Sequence, residues 1–199
     1  NSDKVIEFFK RFGTRITFSR MIGNYGKGGM IIEGCKNSGE MTVNAPCSLR
    51  LGGMAGAFNG TMTSCTFTGA LKADKIGGDS SHAAQIGALA GYSNAVFNSN
   101  NSQGTITTSD VEAGYVGGVA GDYGGKDATW DGNQVNTQIT TTLPVGSVLG
   151  EFDADAGEGT TYTLHFINGI FGEKVSTLPL CGALKGHTLD TEAPAPASK

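Results

Sequence analysis

The chain has little charge, little proline and few of the side chains that do chemistry. Charged residues are 16% of its 199 positions, against about a quarter in ordinary soluble domains. Net charge is −4, so no overall basic footprint points to nucleic acid. The balance is uneven: residues 1–27 hold six basic and two acidic side chains, leaving −8 on the rest. That basic end reads as a solvated cap. No run of roughly 18 apolar residues exists to span a membrane, and no charged leader, apolar stretch and cleavage site open the chain. The four cysteines, Cys35, Cys47, Cys65 and Cys181, form no C-x-x-C pair, and His82, His165 and His187 are scattered. Zinc spacing is therefore missing, and four cysteines in this length make no disulfide framework. Catalytic patterns are missing too. Lys126 follows glycine as in a phosphate loop, but Asp127 stands where Ser or Thr is needed. Asp153, Asp155 and Glu158 fit no calcium-loop spacing. No cofactor and no metal site is expected.

What the chain does have is glycine, 32 residues of it. With hydrophobic residues at 38% and spread throughout, this is a folded chain of tight turns rather than a linker. The glycines recur as a phrase: GGMAG at 52–56, GALAG at 87–91, GGVAG at 117–121, GSVLG at 146–150 and, weaker, GALKG at 182–186. Successive final glycines, Gly56, Gly91, Gly121, Gly150 and Gly186, lie 35, 30, 29 and 36 residues apart. An aromatic follows each of the first four: Phe58, Tyr92, Tyr123 and Phe152; Tyr25 marks a partial copy upstream. A second phrase recurs with it. CKNSG at 35–39 matches CTFTG at 65–69 and NNSQG at 100–104, and a worn copy at 133–137 has Thr137 for the glycine.

Periods near 30 suit helical arrays and β-solenoids alike. Here no window after residue 22 shows helical periodicity, whereas short alternations rich in threonine do appear, as in GTITTS and TQITTTL. The sequence thus predicts an all-β fold, a right-handed parallel β-solenoid (β-helix) of about five coils over residues 23–186, with two or three short strands per coil. Equivalent positions then stack at the strand spacing. Met54, Leu89, Val119 and Val148 should point inward, and the glycines should sit where the chain bends or takes a positive φ. Cys35, Cys65, Asn100 and Asn133 should form one column, with the amides of a stack satisfying one another. At the start, Val5, Phe8, Phe9 and Phe12 predict a short capping helix, followed by a strand at 14–22 with Ile16 and Phe18 inward, so that 1–22 forms the cap. Residues 187–199 end in a Pro/Ala tail expected to be disordered.

On Gly52-Gly53-Met54-Ala55-Gly56, Gly117-Gly118-Val119-Ala120-Gly121 and Cys35-Lys36-Asn37-Ser38-Gly39, the chain resembles the GLUG-type glycine-rich repeats of secreted and outer-surface bacterial proteins. The likeness covers residues 23 to about 150. It implies a non-enzymatic binding or adhesion module at the cell surface or outside the cell. Anchoring would come through a removed, lipid-modified N-terminal region. Its partner would be a glycan or a host or other extracellular protein. The alternatives are a passive spacer of a larger surface protein and a polysaccharide-active β-helix enzyme. For binding, the variable stretches 44–51, 72–86 and 108–116 are candidates, with Tyr92, Tyr123 and Trp130 as stacking platforms if their rings face out. For catalysis, Lys72, Asp74, Lys75, Asp110 and Glu112 could gather on one face.

Overall fold

The computed structural model describes residues 16–18, 30–154 and 159–191, with backbone alone at 16–18. Among these residues every regular element is a β-strand, and every paired strand is parallel to its neighbour. The chain winds as a β-solenoid of about five turns. The helix expected at 3–12, the upstream copy around Tyr25 and the tail from 192 lie outside the described residues.

A full coil contains five short strands, not the two or three expected. The second coil shows the plan: Leu49–Gly52, Ala55–Phe58, Gly60–Thr63, Thr66–Phe67 and Ala70–Ile76. Each strand stacks on its equivalent one coil away, giving five faces. The first face runs Ile16–Phe18, Leu49–Gly52, Ala84–Gly87, Gly114–Gly117 and Val145–Gly146. The strand expected at 14–22 is thus the opening strand of a solenoid face, registered Ile16 to Leu49. The second face runs Ala55–Phe58, Ala90–Ser93, Ala120–Tyr123, Leu149–Phe152 and Cys181–Ala183. The third face is split into two sheets of three strands, joined where the Ser99 N–H donates to the Asp131 carbonyl (2.7 Å). Thr188–Asp190 closes that face, so the stack continues past residue 186.

The inside is layered. Met54, Leu89, Val119 and Val148 are buried, as the repeat required. An aromatic column crosses the coils: Phe97 meets Trp130 at 4.6 Å, Trp130 meets Tyr123 at 5.2 Å, and Tyr123 meets Phe152 at 5.1 Å between ring centroids. Edge and tilted contacts of this kind add to the burial of the rings themselves.

The Cys–Asn column forms in the expected register, since Lys36 pairs with Thr66, Thr66 with Asn101 and Asn101 with Gln134. Each buried asparagine links its own coil to the one before. Asn100 Nδ2 donates to the Met62 carbonyl (2.9 Å) and to Asn133 Oδ1 (3.1 Å), while its Oδ1 accepts from the Cys65 N–H (2.9 Å). The neighbouring column Gly39, Gly69, Gly104 and Thr137 also holds. A Cβ at Gly104 would lie 2.4 Å from the Phe67 ring. At Thr137 the residue that takes the place of Phe67 one coil below is Ser102, and the hydroxyl donates to the Ser102 and Gly118 carbonyls (3.3 Å each).

Three details of the glycine phrase differ from expectation. First, from Gly52 to Gly182 its glycines do not take positive φ. Among the left-handed residues are Gly34, Ser64, Ser99, Gly132 and Asn168, with φ between 50° and 66°. They form one column at the corner between the third and fourth faces. Second, Gly150 stacks on Gly182, because Leu149 pairs with Cys181 and Glu151 with Ala183. The last copy is thus the stretch ending at Gly182, and Gly186 lies beyond it in a turn. Third, the aromatics are not all in phase: Phe58, Ser93, Tyr123 and Phe152 form one column, and Tyr92 belongs to the next one with Ala57, Asp122 and Glu151.

Candidate ligand-binding groove

The phrase glycines meet a limit of space. A Cβ on Gly52, Gly87, Gly117 or Gly146 would lie 1.9, 2.1, 1.8 or 2.0 Å from the carbonyl oxygen three residues on. One on Gly121 would lie 2.2 Å from the Ile86 backbone nitrogen. The first and second strands of each coil therefore fold backbone against backbone at this corner. Side chains two residues before the first glycine (Arg50, Gln85, Tyr115) are brought against those just after the last one (Tyr92, Asp122, Glu151). From these two columns Arg50, Gln85, Tyr92, Asp122 and Glu151 line a groove of about 180 Å³, edged by Ser80, Ser81, Asp153 and Lys185.

Along the groove the polar groups are linked. The Arg50 guanidinium lies 4.1 Å over the Tyr92 ring and donates from Nε to Gln85 Oε1 (2.8 Å). Gln85 Nε2 donates to the Asp122 carboxylate. One coil further, Lys185 Nζ pairs with Glu151 (2.9 Å) and Asp153 (3.5 Å). Gln85, Asp122 and Glu151 are buried, whereas Arg50 and Tyr92 are half-buried and reach the groove mouth. The Glu151 carboxylate, with Asp153 behind it, holds the Lys185 ammonium above the usual lysine range. Burial, then the same Glu151 charge, pushes the Tyr115 phenol up. The carboxylates of Asp122 and Glu151 lie between the cations Arg50 and Lys185 along the stack. Prearranged donors, acceptors and one ring suit a hydroxyl-rich ligand. The volume is below the roughly 300 Å³ of a typical small-molecule pocket, so the groove takes one ring or a chain end.

Of the three aromatic candidates, Tyr92 alone lines this groove. Trp130 and Tyr123 are 0% and 2% exposed, inside the aromatic column. The Trp130 indole N–H donates to the Ala95 carbonyl (3.1 Å), and the Tyr123 hydroxyl to that of Lys126 (3.0 Å). Neither offers a ring face to solvent. The variable stretches 44–51 and 72–86 contribute Arg50, Ser80, Ser81 and Gln85, while Tyr115 of 108–116 stacks in register on Gln85 without lining the groove. The wall from Asp122 and Glu151 was missed, although its signal was readable: each directly follows the final glycine of its phrase, as Tyr92 does.

The charged residues considered for catalysis lie on two neighbouring strands of the fifth face, Ala70–Ile76 and Thr105–Val111, and just after the second. Asp74 pairs in register with Ser109 and accepts its hydroxyl (2.7 Å). Lys75 and Asp110 share a left-handed bulge, with φ 52° and 51°. Glu112 accepts from the Gly78 N–H (3.0 Å). Among the described residues no group of three or more His, Cys, Asp or Glu is placed to hold a metal, and no helix is long and apolar enough to cross a membrane. Comparison with protein-family models, with curated proteins and with solved structures gives no match.

Proposed function

We propose that this chain is a non-enzymatic binding module of a secreted or outer-surface bacterial protein, built from GLUG-type repeats. Its winding would be right-handed, the hand that parallel crossover connections almost always take, and its glycine-corner groove would receive a glycan. The observation that carries this reading is the groove itself. Five successive coils each supply a polar side chain to it: Arg50, Gln85, Asp122, Glu151 and Lys185. Asp74 and Glu112 on the fifth face are engaged in local hydrogen bonds, which favours binding over polysaccharide cleavage. The test is a glycan array probed with the native chain and with Tyr92→Ala and Arg50→Ala. The expected result is a restricted set of bound glycans, with at least a tenfold loss in both variants. Binding unchanged by either substitution would move the ligand away from the groove.

A second reading, a passive spacer, is favoured by one observation. The groove charges already satisfy one another, Arg50 through Gln85 to Asp122 and Lys185 to Glu151. An array with no bound glycan, and no binding to extracellular matrix proteins, would support that reading.

A further inference from the structure

Coils two to four are tied at the start of the fourth face by asparagine side chains; coils one and two present two thiols at the same level. Cys35 and Cys65 stand in register, each one residue ahead of its fourth-face strand. The Thr66 N–H donates to the Cys35 carbonyl (2.8 Å), so the two cysteines lie on directly hydrogen-bonded backbone. Parallel neighbours are spaced about 4.8 Å apart, inside the roughly 4.4–6.8 Å range of Cα separations that disulfides span. The side chains are oriented alike: Cys35 Sγ lies 3.5 Å from the Glu33 carbonyl and Cys65 Sγ 3.3 Å from that of Thr63, in each case two residues back. Both are free thiols. Cys65 is buried, and Cys35 is half-exposed, open to a small oxidant. Cys47 is buried elsewhere, and Cys181 has Leu149 as its neighbour in register.

We propose that Cys35 and Cys65 close to a disulfide under oxidising conditions, clamping the first described coil to the second. The oxidant is a small disulfide such as oxidised glutathione. The Cys35 thiolate attacks one of its sulfurs, forming a mixed disulfide and releasing one glutathione thiolate. Cys65 then gives up its proton and attacks the Cys35 sulfur, releasing the second glutathione. Two protein thiols are oxidised, two glutathione thiols appear, and the protein loses two hydrogens.

The experiment treats the full chain with excess oxidised glutathione, alkylates remaining thiols in denaturant and maps the peptides. The expected product is a cross-linked Cys35–Cys65 peptide with Cys47 and Cys181 alkylated. Closing a loop of this size should raise the thermal midpoint by several degrees, reversibly on adding dithiothreitol. Cys35→Ser should fold as the native chain does, since Cys35 lies partly at the surface, and should show no oxidant-dependent rise. Glutathione retained on Cys35 beside an alkylated Cys65 would overturn the proposal. So would alkylation of both, or the same rise in Cys35→Ser.

Discussion

Two corners of the coil contain glycine for different reasons. At the corner between the first and second faces, Gly52, Gly87, Gly117 and Gly146 have ordinary φ and no room: a Cβ would sit about 2 Å from a carbonyl oxygen. At the corner between the third and fourth faces, Gly34 and Gly132 have φ of 63° and 66° and ample room, with nothing closer than 3.4 Å to an added Cβ. The first corner is glycine in four successive coils. The second accepts Ser64, Ser99 and Asn168. The difference shows that a steric demand is absolute, because two backbones cannot both move. A conformational demand is a finite strain of roughly 1–2 kcal/mol, which neighbouring contacts can offset.

Substitution should separate the corners cleanly. The largest effect is expected at Gly121→Ala, whose Cβ would enter the backbone of the coil before it. A loss of at least about 3 kcal/mol is expected in urea unfolding, beyond ordinary overpacking. A loss no greater than that of Gly132→Ala would erase the distinction between the two corners.

Next in size is Asn100→Ala, immediately after the left-handed Ser99. It would leave the Cys65 N–H and the Met62 carbonyl buried without their side-chain partner. About 2–3 kcal/mol should be lost. If the loss matched an exposed asparagine instead, the amide column would have no part in holding the second corner.

The C-terminal end of the glycine corner can be probed with pH. Burial pushes the Cys181 thiol up from 9.0 to about 11. The folded chain therefore keeps this proton where the unfolded chain has lost it. Stability from this group is complete below about pH 9 and falls as pH climbs through 11. The fall should be about 1–3 kcal/mol over that window. In Cys181→Ser the part due to this thiol should vanish; identical alkaline curves for both proteins would place the titration elsewhere.

The smaller effects belong to left-handed glycines. Gly132→Ala should lose about 1–2 kcal/mol through φ alone. Gly186→Ala has φ 84° and open space around it, but lies in a turn near the end of the stack. Its thermal midpoint should move less than that of Gly132→Ala. A larger shift at Gly186 would mean that the last turn supports the coils before it.

Much of this fold is legible along the chain, because stacking converts period into neighbourhood. The alignment of Cys35, Cys65, Asn100 and Asn133 by phrase is the alignment in space. The inward Met54, Leu89, Val119 and Val148 follow from their place between glycines. The five strands per coil were not legible, since strands such as Thr66–Phe67 are two residues long and show no alternation. Tyr92 and Ser93 could not be told apart by spacing: the aromatic falls one residue after the glycine in one copy and two in the others. Gly182 was hidden behind Gly186 because the last copy has lost its pattern. The groove was half legible. Its residues bracket the phrase, but that they face each other depends on how sharply the corner closes.

The sequence by itself determined that the chain is a repeat, which positions stack, and which residues the core takes, because each of these depends only on recurrence and hydrophobicity. Only the tertiary structure decided which glycines answer to space and which to φ, since both read as the same letter. It also decided that Arg50, Gln85, Tyr92, Asp122, Glu151 and Lys185, drawn from successive coils, share one groove. The physical reason is that a corner's angle is set by backbone meeting backbone across coils, and no local pattern records that contact.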